Sequence, residues 1–140
     1  MTIEFRKMDI DDYQNVIDLW HTTENLGLST ADQKYEIEMF LTRNPGLCFV
    51  AVEDGKIIGA VLAGHDGRRG AIYHLAVQKN KRNRGVGSQL VKHCLHGLKI
   101  AGIERCHIHV YAKNQSGLAF WQKEGWYLRS ELALLSIDIT

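Results

Sequence analysis

The chain has 140 residues, 45% of them hydrophobic and 24% charged, with a single proline, which suits one compact core and argues against a disordered chain or two ordinary domains. A formal net charge of +1 excludes the domain-wide basic excess of a nucleic-acid binder or membrane-surface protein, and no window approaches the roughly 18 apolar residues of a membrane span. Three cysteines without metal-type spacing, and an N-terminus without a basic and then apolar leader, lead us to expect reduced thiols in one cytoplasmic domain spanning 1–140.

Thr2 to Lys7 alternates like a short strand, and Asp9 to Trp20 carries Ile10, Tyr13, Val16, Ile17 and Trp20 at helical spacing behind an acidic start. Ser29 or Thr30 can cap a second helix running to about Thr42, stopped by Asn44-Pro45-Gly46. Leu47 to Val52 and Ile57 to Gly64 flank the hairpin signal Asp54-Gly55, and the turn His65 to Gly70 leads into Ala71 to Val77, which predicts three antiparallel strands.

A helix opening after Gly85 buries Val86, Leu90, Val91, Cys94, Leu95 and Leu98 and ends near Gly102. Arg105 to Tyr111 alternates, with His107, His109 and Tyr111 on one face. Asn114 can cap a short helix to about Glu124, after which Trp126 to Ser130 and Leu132 to Ile139 read as a last hairpin. The fold expected is α/β (α+β), with four helices and a mixed, mostly antiparallel central sheet of about seven strands.

The most informative segment is Arg82-Asn83-Arg84-Gly85-Val86-Gly87, between a strand and a helix start. Gly85 lets the backbone approach an anion closely and Gly87 tolerates unusual dihedrals. The helix behind them offers unpaired amides and a favourable dipole, and Arg82 and Arg84 add mobile charge. Read as structure alone, the same residues make an ordinary strand-to-helix turn with a solvated basic rim. A Walker loop would need Gly-Lys-Ser/Thr, and a dinucleotide fingerprint would need a third glycine where Leu90 stands.

The stretch Tyr73-His74-Leu75-Ala76-Val77, the pattern Arg82-x-x-Gly85-x-Gly87, Asn114, and the run Ala119 to Trp126 together resemble the GCN5-related N-acetyltransferase (GNAT) superfamily, over nearly the whole chain. The resemblance implies acetyl-CoA as acetyl donor. It implies pantetheine lying between splayed fourth and fifth strands, bonded to the backbone of Leu75, Ala76 and Val77. The pyrophosphate would rest on Arg82, Asn83, Arg84, Gly85, Val86, Gly87 and Ser88, with Asn114, Phe120 and Trp121 also on the cofactor side. As structure alone, Leu75 and Val77 are core residues, and the two roles are compatible.

Such enzymes let the acceptor amine attack the thioester directly. An alkyl ammonium keeps only about one part in a thousand as free amine at neutral pH, a deficit of roughly 4 kcal/mol, so a base is expected. His109 is the first candidate, because it shares a strand face with Tyr111 and a histidine titrates near the working range; Tyr73 is the second. The family's usual proton donor is a tyrosine where this chain has Trp121, and an indole cannot give up its proton near neutral pH. Tyr111, Tyr73 or solvent takes that part, or the thiolate leaves with only hydrogen-bond help.

The histidine pairs His107/His109 and His93/His96 lack a carboxylate or cysteine partner at recognisable spacing, so no metal is expected. The partners implied are acetyl-CoA and an amine on a small molecule, peptide or protein, with neither nucleic acid nor membrane, and a homodimer is compatible. Acceptor choice would lie with His21 to Ala31 and His65 to Gly70. A non-catalytic acyl-CoA-binding module is the alternative, because loss of the family tyrosine is what a degenerate enzyme would show.

Overall fold

Short alternating segments joined by tight turns build a five-stranded sheet in a computed structural model that describes residues 2–140. The strands are β1 (Ile3–Lys7), β2 (Phe49–Glu53), β3 (Lys56–His65), β4 (Gly70–Val77) and β5 (Cys106–Ile108), neighbours in that order. The first three junctions are antiparallel and β4–β5 is parallel. Asp54 and Gly55 both take left-handed backbone, φ 53° and 74°, the conformation a two-residue hairpin turn requires.

Helix α1 (Tyr13–His21) follows a single 3-10 turn whose Asp9 accepts from Asp11 N at 2.8 Å while Asp12 reaches back to Asp9 N at 3.0 Å. Ser29 caps a second 3-10 turn over Thr30–Asp32, and α2 (Lys34–Arg43) starts after it, later than the sequence suggested. Val16, Trp20 and Ile37 from these helices are buried with Cys48, Val50, Ala60, Leu62 and Ala76 on one face of the sheet. Helix α3 (Val86–Ile100) covers the other face, so close that a Cβ on Gly59 would stand 3.1 Å from Leu90 and 3.2 Å from Val86. Gly102, with φ 82°, terminates it as predicted.

The chain forms two compact units, the first running to His109 and the second covering Val110–Thr140. In the second, α4 (Gln115–Lys123) is capped by Asn114, whose Oδ1 accepts from Gly117 N at 2.9 Å. Trp121 is buried and meets Trp126 edge to face at 4.9 Å.

Two expectations fail. The sheet has five strands, not about seven, because 126–140 forms no strand. The apolar residues there change parity, Leu132 and Leu134 on even positions and Leu135, Ile137 and Ile139 on odd ones, so no single strand face could gather them; they are left 61–98% exposed. The fifth strand is also three residues long, not the seven of Arg105 to Tyr111, so His109 lies beyond it. Among the described residues, no helix is long and apolar enough to cross a membrane.

Candidate active site

The site grows from one irregularity in β4. Ala76 pairs with Ala60 and Tyr73 with Leu62, so His74 and Leu75 together stand opposite Val61, a bulge with His74 in left-handed backbone at φ 52°. Strict alternation would put Tyr73 and Ala76 on opposite faces. The extra residue brings both to the side of α1 and α2, where Tyr73 meets Phe40 edge to face at 5.9 Å.

Pairing between β4 and β5 covers only Gly70/Cys106, Ala71/His107 and Ile72/Ile108. Past Ile72, no strand among the described residues pairs with the edge of β4 that faced β5, while Ala76 and Val77 stay bonded to β3 on the other edge. Along this segment Ala76 is buried and Leu75 and Val77 are half-buried, beside an edge that no strand covers, an arrangement an extended, amide-bearing ligand can use; the Val77 carbonyl is already bonded to Arg82 Nε at 2.9 Å.

Beyond β4 the chain turns through Lys79–Lys81, takes left-handed backbone at Asn83 (φ 64°) and Gly85 (φ 79°), and enters α3 at Val86. The intrahelical ladder starts with Gln89 N donating to Gly85 O at 3.0 Å, so the amides of Val86 and Gly87 lie ahead of it. A Cβ on Gly85 would meet nothing within 4 Å, which leaves room over the turn. Gly87 is not left-handed: the dihedral freedom assigned to it is spent at Asn83 and Gly85, and Gly87 belongs to the helix.

Both arginines are paired with carboxylates. Arg84 makes a two-point bond to Glu53, 3.1 Å to Oε1 and 2.6 Å to Oε2, and Lys81 adds a contact at 3.0 Å. Arg82 donates from Nε to Val77 O at 2.9 Å and pairs with Glu24 through its guanidinium. Lys81, Arg82 and Arg84 are thus paired within the protein, and the amides of Val86 and Gly87 lie ahead of the helical ladder. Beside the loop, a cleft of about 440 Å³ runs between the end of α1 (Leu19, Thr22, Thr23) and the segment Val77 to Asn80 with Arg82.

Glu53 is buried, and its hydrogen bonds from Arg84 and then Lys81 hold its carboxyl down to about 2. A depressed folded-state value stabilises above the ordinary carboxylate range and loses that contribution as pH falls towards 2. Glu53→Gln is therefore expected to lower Tm at pH 7, with the gap to wild type closing between about pH 4.5 and pH 2. Thermal unfolding at pH 7, 5 and 3 checks this; a gap that stays constant to pH 3 refutes it.

His109 is exposed and lies just past β5, and Tyr73 is 41% exposed beside Phe40. In the second unit Tyr111 is 59% exposed, its carbonyl accepting from Asn114 N at 2.9 Å, while Phe120 and Trp121 meet edge to face at 5.1 Å. The three thiols are raised by burial, Cys48 and Cys106 to about 11 and Cys94 further, so each stays protonated.

Sequence reasoning missed a part-buried polar pair at β4. His74 Nε2 lies 2.8 Å from Asp32 Oδ1, and the indole of Trp20 donates to His74 O at 3.1 Å. The capping spacing Ser29-x-x-Asp32 could have marked Asp32 as fixed, but nothing local points it at His74.

Residues 13–126 match the model of the Acetyltransferase (GNAT) family. The chain is 29% identical over 133 residues to Acetyltransferase SG1711 of Sodalis glossinidius, covering 95% of this chain and 93% of that one. It is 32% identical over 121 residues to Acetyltransferase ECA0875 of Pectobacterium atrosepticum, covering 86% and 85%. Its fold is similar to that of Ard1 from Thermoplasma volcanium, with TM-score 0.79 and 19% identity over 89% of this chain and 82% of that one. It is also similar to PaiA N-acetyltransferase from Thermoplasma acidophilum, solved in complex with coenzyme A, with TM-score 0.76 and 20% identity over 88% of each. With its motifs, its open β4 edge and a family match over most of its length, the chain belongs to the GNAT family of acetyltransferases.

Proposed function

We propose that this GNAT acetyltransferase moves the acetyl group of acetyl-CoA to a primary amine, by direct attack while both substrates are bound. The observation that carries the reading is the free edge of β4 past Ile72 leading into the glycine turn and the start of α3. Pantetheine would bond along Leu75, Ala76 and Val77. The pyrophosphate would lie on the turn from Arg82 to Ser88, where Gly85 leaves open space. Asn114, Phe120 and Trp121 are assigned to the cofactor side by family resemblance alone.

Direct attack also suits the thiols. Burial keeps all three protonated, so none is an activated nucleophile for an acetyl-cysteine intermediate. The coenzyme thiolate is a tolerable leaving group, since an ordinary thiol titrates near about 8.5. A packed Trp121 in place of the family tyrosine therefore need not abolish turnover.

Screening amines, amino acids, polyamines and short peptides for acetyl-CoA-dependent thiol release, with product mass confirmed, is expected to yield an N-acetylated product. Tight acetyl-CoA binding with no acceptor acetylated would favour the non-catalytic module, and transfer to hydroxyl compounds only would contradict the amine assignment.

A further inference from the structure

The geometry points to His74, oriented by Asp32, as the group that takes the proton from the attacking amine. The inference rests on the acetyltransferase reading above and assigns within it a base that the motif leaves unassigned. Three observations support it: where the ring sits, how its proton is placed, and how firmly it is held.

His74 occupies the β4 bulge immediately before Leu75, Ala76 and Val77, and its side chain keeps 19% exposure. Its φ of 52° is uncommon for a residue other than glycine, so the surrounding structure must hold it there. Trp20 does so, with its indole on the His74 carbonyl and its ring 4.9 Å from the imidazole.

An ionised carboxylate only accepts hydrogen bonds, so the 2.8 Å contact to Asp32 puts the ring proton on Nε2 and leaves the Nδ1 lone pair free to accept one. Asp32 itself cannot swing away. Its Oδ2 accepts from Ser29 N at 3.0 Å, and its carbonyl accepts from the Tyr13 hydroxyl at 2.6 Å. His109, in contrast, is exposed and lies past the end of β5.

The protons balance. Nδ1 of His74 removes one proton from the substrate ammonium, and the freed lone pair forms the N–C bond to the thioester carbonyl. The C–S bond breaks with its electron pair on sulfur, a second N–H proton passes through solvent to the thiolate, and the imidazolium returns its proton to water. Asp32 is a positioning residue in this scheme.

The titratable groups facing the imidazole are the Asp32 carboxylate from the 29–32 turn and, behind its carbonyl, Tyr13 of α1, with Tyr73 adjacent in β4. Burial first and the Asp32 charge second push the Tyr13 hydroxyl up, so it remains a donor.

The test uses an acceptor from the amine screen. His74→Gln is expected to lower kcat/KM by about a hundredfold near neutral pH with acetyl-CoA affinity unchanged by calorimetry. The deficit should shrink as pH rises towards the pKa of the free amine. His74→Asn, whose side chain tolerates left-handed backbone, repeats the measurement in case glutamine misfolds. Asp32→Asn can donate to Nε2 and so force the proton onto Nδ1; a similar loss is expected, again without loss of acetyl-CoA binding. Full activity in both His74 variants, or a loss that high pH does not relieve, overturns the assignment. Absence of any wild-type turnover overturns the acetyltransferase reading and this inference with it, whereas wild-type turnover with unaffected His74 variants overturns the inference alone.

Discussion

Gly87→Glu is expected to weaken acetyl-CoA binding by at least about a hundredfold, close to 2.7 kcal/mol, while the protein stays folded. The two effects separate because Gly87 is a helical residue in the first turn of α3. Glycine inside a helix costs on the order of 0.5–1 kcal/mol relative to a straight-chain residue, and a carboxylate near a helix N-terminus interacts favourably with the dipole. The same carboxylate would face the pyrophosphate proposed to lie on this turn, where the local cations Arg84, Lys81 and Arg82 are already paired with Glu53 and Glu24. Calorimetry gives the affinity and a thermal melt the fold. A folded variant with wild-type affinity would remove the turn from the acetyl-CoA site.

Trp20→Ala is expected to cost about 3–5 kcal/mol of stability, enough to lower Tm by roughly 10 °C or more. Trp20 is 1% exposed at the centre of the cluster under α1 and α2, so its removal leaves a large void against Val50, Ala60, Leu62 and Ala76. It also frees the His74 carbonyl. Trp20→Phe keeps part of the apolar contact but loses the indole donor and some ring volume, for which about 1–3 kcal/mol is expected, less than for alanine, together with a fall in kcat/KM as the bulge loosens. Urea unfolding with an unchanged m-value measures both. A loss below about 1 kcal/mol for Trp20→Ala would show that the core repacks around the site.

The same residues show where local reading ends. Asp54-Gly55, Asn114 and Gly102 were legible because a turn, an N-cap and a helix stop depend on neighbours within a few positions, and each is realised as expected. The glycine turn ahead of α3 was legible for the same reason, although Asn83, not Gly87, shares the left-handed conformation with Gly85. The expected last hairpin does not form, because the apolar residues of 132–139 change parity and no single strand face can gather them.

By itself the sequence determined the order of the elements through the first unit, the α4 cap, the glycine turn and the family motif, since each is written in contiguous residues whose backbone preferences act locally. Only the tertiary structure decided which side chains meet. Arg84 and Glu53 are 31 residues apart, and His74 and Asp32 are 42 apart. The one-residue bulge that aims Tyr73 and Ala76 at the same face leaves no period-two signature in β4. Such contacts depend on strand register and on which face each helix covers, and those are settled by burial of the whole core, not by the preferences of any one segment.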